Sequence, residues 1–209
     1  GSLMEESIGP INKEQKDRIQ AAYQTNEHMI SLINDLLDIT AIQEGRYLSE
    51  LTNFEIEPMI KSMVQSYKED AERREVTLEL ELAKTKIPSV QADGGKIELA
   101  LQNLIDNALQ YTEKGGKVTV SVKKNPKKKQ IEVVVKDTGI GIPETQQQRV
   151  FDRFFRATNA REMKDRGTGL GVYLAKNIIE AHKGKVWFES KEGKGSTFGF
   201  SLRINNNGS

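Results

Sequence analysis

Cysteine is absent from this chain, and its 209 residues include only two histidines, His28 and His182. Without thiols there can be no disulfides, thiolate metal centres or cysteine nucleophiles, and two histidines are too few for a multi-histidine zinc site. That composition suits a reducing compartment. Long apolar runs are missing too. No segment approaches the ~20 residues of a membrane-crossing helix, and no signal peptide opens the sequence. Nor does one charge sign dominate: the formal net charge of +1 gives no global pull toward nucleic acid or membrane. What remains, 36% apolar and 29% charged, is the balance of a soluble globular chain with room for one sizeable domain and an appendage. The ends, "GSLM" and "NNNGS", read as the edges of a piece cut from a longer protein.

Two regimes follow along the chain. In residues 1–46 a Gly9-Pro10 break precedes Asn12, a suitable helix N-cap with Gln15 at the capping-box position. Ile19, Ala22, Asn26, Met29, Ile33 and Leu36 then recur in steps of three and four, and Ile30 and Leu37 widen the stripe. That is the face of a bundle helix, which needs partners, and Gly45 marks its end. From 47 to 205 the pattern is mixed. It predicts a strand in "YLSELTNF", a helix from Glu55 to Arg74, a strand "VTLELEL" and a short strand in "PSVQAD". A helix around "NLIDNALQYT" follows, then the alternating runs "GKVTVSV" and "QIEVVVKD" joined by "KKNPKKK". That lysine run is expected to be a hairpin turn; no aromatic residues interleave with it as in a nucleic-acid patch. A charged, glycine-rich stretch over 138–168 leads to the helix "GLGVYLAKNIIEAH" and the strands "KVWFES" and "STFGFSL". The order predicts an α+β class fold, a two-layer α/β sandwich, preceded by a long bundle helix.

The helix "NLIDNALQYT" poses a question. Ile97, Leu101, Leu104, Ile105 and Ala108 share one face, while Gln102, Asn103, Asp106, Asn107 and Gln110 share the other. A solvated face is normally filled with Glu, Lys and Gln, whereas asparagine is a poor helix former. Two asparagines on neighbouring turns therefore call for a reason beyond solvation.

Three glycine clusters lie downstream: "DTGIGIP" (137–143), "RGTGLGVYLAK" (166–176) and "EGKGSTF" (192–198). Glycine permits positive φ and close backbone approach, which suits phosphate cradles as well as ordinary turns. Neither a P-loop nor a Rossmann fingerprint is present, since Glu144 and Val172 stand where the latter needs its last glycine. Taken in order, however, the asparagine helix, Asp-x-Gly-x-Gly, the Phe-rich "FDRFFRA" (151–157), Gly-Thr-Gly-Leu-Gly and Gly-x-Gly-Ser-Thr-Phe form a five-part series. It resembles the N, G1, F, G2 and G3 boxes of two-component sensor histidine kinases over about 50–203. The implied fold is the Bergerat ATP-binding domain, with a mixed sheet. The stretch "NEHMISLINDLLDITAIQEGRY" is similar to the second helix of that family's dimerisation and phosphotransfer hairpin.

The resemblance implies ATP and Mg²⁺ as ligands and assigns roles. Asn107 would ligate Mg²⁺ through its carbonyl oxygen, a hard neutral donor. Asp137 would accept a hydrogen bond from the adenine amine, with Gly139 and Gly141 letting the backbone lie close to the base. Gly167, Thr168, Gly169, Leu170 and Gly171 would form a lid hinge and a helix N-terminus suited to the triphosphate. Tyr111, Phe155 and Arg156 would line base and phosphates, with Ser196 and Thr197 nearby, whereas Phe151 and Phe154 would anchor the lid by burial. Asn103 stands where related ATPases, gyrase and mismatch-repair proteins among them, carry a water-activating glutamate. An amide cannot take a proton, so ATP would be held without ready hydrolysis. One departure is Gln110, where the family often has Lys or Arg; its loss predicts weaker triphosphate affinity, or a substitute from Arg156, Arg161, Lys164 or Arg166 in the lid.

By the same resemblance the activity is that of a protein-histidine kinase, with Asn103 and Asn107 as its catalytic pair. Its partners would be a response-regulator receiver domain and, in the longer protein, a second copy through the N-terminal helix. The location would be cytoplasmic, with any attachment to the inner face of the plasma membrane made by N-terminal regions outside this piece. No nucleic acid is expected. Neither histidine has the acceptor's acidic context, so the phosphorylated histidine is expected to lie outside the chain. Two other readings compete: an ATP-hydrolysing switch of the same superfamily, and a nucleotide-responsive dimerisation or scaffold module.

Overall fold

A computed structural model describes residues 12–44, 51–83, 85–163 and 167–205. Its centre is the hairpin foreseen from alternation. In β4 (Lys117–Asn125) Val118, Val120 and Val122 point inward, as do Ile131, Val133 and Val135 in β5 (Gln130–Asp137). Antiparallel register sets Val120 opposite Val135 and closes at Asn125–Gln130. Beyond β5 lie β7 (Gly195–Arg203) and β6 (Lys185–Lys191), both antiparallel neighbours. On the other side β2 (Thr77–Leu82) joins β4 in parallel. The five-stranded mixed sheet thus runs β2-β4-β5-β7-β6. A separate small ribbon pairs β1 (Thr52–Phe54) with β3 (Val90–Ala92).

One face of the sheet is covered by helices. The apolar side of α4 (Gly94–Tyr111) is buried, as is that of α6 (Gly171–Ala181), and the two pack side by side. His182 ties their ends together. Its Nε2 accepts the Asp93 backbone N–H at 3.1 Å, so Nδ1 carries the proton and donates to the Ile178 carbonyl at 2.7 Å.

Elsewhere local chemistry departs from the pattern. The helix expected over 55–74 breaks into α2 (Ile56–Ser66) and α3 (Lys68–Arg73). At the break the Ser66 hydroxyl donates to the Met63 carbonyl at 2.8 Å, competing with the backbone ladder. Within 138–168, read as irregular, lie a 3₁₀ turn (Glu144–Arg149) and a short helix α5 (Thr158–Met163).

The long helix α1 (Lys13–Gln43) starts at Asn12 with the reciprocal capping box, both bonds at 2.9 Å. Ile39 is buried in the domain core, and Asp38 pairs with Lys96 at 3.3 Å, which docks the C-terminal part of α1 beside α6. Met29, Ile30, Ile33, Leu36 and Leu37 remain exposed. The Gly45 stop signal and the 46–47 boundary fall outside the described residues, as do Lys164 and Arg166; so does the side chain of His28 on α1.

Candidate functional site

Asp93 caps α4 by accepting the Lys96 N–H at 3.2 Å, which sets the rotation of the helix. Ile97, Leu101, Leu104 and Ile105 are held on the sheet, so positions i, i+4 and i+7 from Asn103 face outward together. There Asn103, Asn107, Gln110 and Tyr111 line a cavity of about 400 Å³ between α4, the loop after β5 and the start of α6. Asn103 is not loose: its Nδ2 donates to the Leu99 carbonyl at 2.9 Å, and its Oδ1 lies 2.6 Å from where a Cβ on Gly171 would stand. By contrast, the Asn107 carboxamide lines the cavity and makes no hydrogen bond among the described residues.

Asp137, at the end of β5, is buried at the opposite wall. One oxygen, Oδ1, accepts both the Gly139 N–H at 2.8 Å and the Ser196 N–H at 3.0 Å, leaving Oδ2 for the cavity. Burial holds this carboxyl above its ordinary range, although the two N–H donors pull the other way. The loop that follows is locked from several sides. A Cβ at Gly139 would collide with the Tyr111 carbonyl, and Gly141, at φ +62°, passes as closely over the Lys191 carbonyl. Asn159 Nδ2 donates to the Gly141 carbonyl at 3.0 Å, Gln147 Nε2 to the Ile142 and Ser190 carbonyls at 3.0 Å, and the Ile142 N–H to Ser190 Oγ at 2.9 Å.

Phe155, Arg156, Gly167, Thr168, Gly169 and Gly171 form the third side, and Gly141 and Ser196 complete the group. Gly167 sits where a Cβ would be 3.4 Å from both Gln110 Nε2 and Arg156 Nε, so these side chains converge. Arg161 is exposed on α5.

Three predicted residues stand elsewhere. Leu170 is fully buried in the core, where its burial anchors the start of α6. Thr197 faces the open side of the sheet, because the inward positions of β7 belong to Phe198 and Phe200. Gly139 lies behind the loop rather than on the cavity wall. Phe154, expected to be buried, is 56% exposed: its backbone takes φ +60° and packs under Gly169, which turns the ring outward.

Other residues come to the site outside the sequence boxes. Asp106 stands at the rim and accepts the Tyr67 hydroxyl at 2.7 Å; burial, then the Asp106 charge, hold that phenol well above its ordinary value and keep it a donor. Asp35 of α1 also lines the cavity. Asp106 shares the polar face of α4 already read from the sequence, whereas Tyr67, at the α2–α3 junction, and Asp35 are brought there by long-range packing.

Residues 92–206, more than half of the chain, match the family described as histidine kinase-, DNA gyrase B-, and HSP90-like ATPase. The chain belongs to that family. Curated homologues include sensor histidine kinases, and the chain carries the catalytic ATP-binding domain of that type. Sensor histidine kinase WalK of Bacillus subtilis is 38% identical over 176 residues, 84% of this chain and 28% of WalK. Full-length ShkA, solved in complex with AMPPNP, has a TM-score of 0.78 at 22% identity, covering 99% of this chain and 42% of ShkA. Histidine kinase ThkA, solved in complex with the response regulator TrrA, has a TM-score of 0.72 at 23% identity over 98% of this chain and 57% of ThkA. At those identities the two structures establish likeness of fold. The chain spans about a quarter of the length of the first curated relatives it matches, 26% and 28%. No helix among the described residues is long and apolar enough to cross a membrane.

Proposed function

We propose that the cavity binds Mg-ATP and that the chain is the catalytic region of a protein-histidine kinase, donating the γ-phosphoryl group to a histidine carried by a segment outside it. The observation that carries this reading is the pairing, across one cavity, of a buried carboxylate with a spare oxygen at Asp137 and an unengaged carboxamide at Asn107. Asp137 Oδ2 would take the adenine amine. The convergence of Gln110 and Arg156 beside Gly167 supports a role for both at the phosphates, where Arg156 would replace the cation that Gln110 lacks.

The residues present fit a divalent cation. No cluster of three or more His, Cys, Asp or Glu among the described residues forms a metal cage, so Asn107 would supply one oxygen, with phosphate and water filling the other positions. Bound there, Mg²⁺ would supply charge neutralisation at the phosphates. The chain's own part is to orient the nucleotide and withhold a base from water. Asn103 is amide, bonded to its own helix and pressed against Gly171, and cannot take a proton. The incoming imidazole nitrogen would form the P–N bond as the β–γ bridging P–O bond breaks, with ADP leaving and the imidazole proton passing to solvent.

A receiver domain would be the next acceptor, consistent with the response regulator bound to ThkA. The exposed stripe on α1 would be the homodimer face in a longer protein. The test is incubation of the chain with Mg²⁺ and γ-labelled ATP, with and without a separate hairpin from a parent kinase whose own ATP site is disabled. Acid-labile, alkali-stable label on the hairpin alone supports the reading. Label on the chain alone, or steady phosphate release without an acceptor, overturns it.

A further inference from the structure

The hairpin joining β4 to β5 takes no part in the nucleotide site, yet it carries the strongest local charge bias in the chain. Five of the seven residues from Lys123 to Lys129 are lysine, and none is acidic. All five lysines are exposed. The turn itself is firmly built: Asn125 Oδ1 accepts the Lys128 N–H at 3.2 Å, and the Lys129 carbonyl accepts the Ile204 N–H at 3.0 Å. Register extends the charge across neighbouring strands. Arg203 of β7 lies opposite Gln130, and Lys185 of β6 lies opposite Ser201, in the row that continues to Glu132 and Lys123. Glu132, the acid in that row, is already engaged by Asn125 at 2.7 Å and Lys123 at 3.3 Å. The basic end therefore presents a largely unopposed positive surface even though the whole chain is near neutral.

From this placement we propose that the lysine end of the sheet is a docking surface for a membrane rich in anionic phospholipid. The composition favours a broad, diffuse polyanion. Residues 123–130 include no large apolar side chain to form the buried centre of a protein interface. Single-stranded nucleic acid needs aromatic platforms for its bases. One indole, Trp187, lies over Gly199 on the open face of the sheet and lines the same depression as Lys123 and Lys128, but a single ring is short of the succession of platforms that a strand of bases needs. Lysines near an anionic bilayer need neither feature, because each contributes through the surface potential.

The orientation that results keeps the nucleotide site accessible. Asp137 ends the same strand whose first residue, Gln130, borders the basic turn. Seven steps of about 3.3 Å separate them, so the adenine wall lies on the order of 23 Å from the lipid contact, at the far end of the sheet.

The experiment is co-sedimentation of the chain with vesicles of phosphatidylcholine alone and of phosphatidylcholine with roughly one-third phosphatidylglycerol, at low and physiological salt. Binding should require the anionic lipid and weaken with salt. At ~1 kcal/mol per lysine near the surface, about fivefold each, the variant K124Q/K127Q/K128Q should bind on the order of a hundredfold more weakly. Its nucleotide affinity and unfolding midpoint should match the parent's, because these side chains touch neither the site nor the core. Absence of binding to anionic vesicles at low salt would overturn the proposal, as would equal binding by the variant. Tighter binding to an oligothymidylate than to anionic vesicles in the same buffer would overturn it in favour of nucleic acid.

Discussion

Replacing Asp137 by asparagine separates the two duties of that side chain. In the parent, Oδ1 accepts two backbone N–H groups while Oδ2 faces the cavity. Asparagine can keep its single oxygen on Gly139 and Ser196, but then its NH₂ points where, on the proposed reading, the adenine amine would donate. One charged hydrogen bond is lost, about 1.5–3 kcal/mol, and a donor is set against a donor. Together these cost about 2–4 kcal/mol, roughly a thirty- to thousandfold loss of nucleotide affinity in an equilibrium titration with a fluorescent analogue. Stability should move the other way. Burial raises the folded-state pKa of Asp137, so its favourable contribution is complete below the unfolded pKa and is lost as pH rises through the raised value. At neutral pH the asparagine variant is therefore expected to unfold at the same temperature or higher. Alanine at 137 leaves both N–H groups orphaned, at about 1–3 kcal/mol each, and should lower the midpoint as well as the affinity. An asparagine variant that binds within fivefold of the parent would refute the reasoning.

Three further outcomes follow from the packing around the cavity. Gly171→Ala should destabilise by about 1–3 kcal/mol in urea melts, since Asn103 Oδ1 is 2.6 Å from the new Cβ and held by Leu99; this outweighs the ~1 kcal/mol gain in helix propensity, and a more stable variant would show that Asn103 moves freely. His182 is buried neutral with a lowered pKa, burial being the main cause, so its contribution is present above the unfolded value and falls away as pH drops through the folded one. Unfolding midpoints at pH 7.5 and 5.5 should differ in the parent and much less in His182→Gln, each pH being chosen about one unit from the ordinary histidine value. Ile39→Ala should cost about 2–5 kcal/mol of α1 docking, read as lost amide-exchange protection in residues 32–42 while β4 and β5 stay protected.

Much of this architecture was legible because it rests on local periodicity. The alternation of β4 and β5, and the two-faced pattern of α4, depend on which neighbours point inward, and that is written at spacings of two to four residues. The ordered boxes did the same for most of the cavity wall. What escaped had a different origin. The break at Tyr67 turns on one hydroxyl competing for a carbonyl, and propensity does not register it. The resemblance implies Thr197 for the site together with Ser196, but strand parity sends it to the other face. Phe154 departs for a related reason: its positive-φ backbone turns the ring outward, and hydrophobicity alone does not reveal that. Asn159, Gln147 and Ser190, which lock the loop after Asp137, carry no motif because each acts across a fold-dependent gap.

Asp35 gives the cavity a wall that belongs to another segment of the chain. Helix α1 is held there by Ile39 and by the Asp38–Lys96 pair, both outside the cavity lining. Occupancy of the cavity and docking of α1 are then linked functions in the thermodynamic sense. Any ligand that prefers one placement of α1 shifts the docking of that helix by some factor, and shifting the helix changes the ligand's affinity by the same factor. A rotation or slide of α1, imposed from far along its length, would reach the cavity without any relay through the core, because the helix is itself part of the wall.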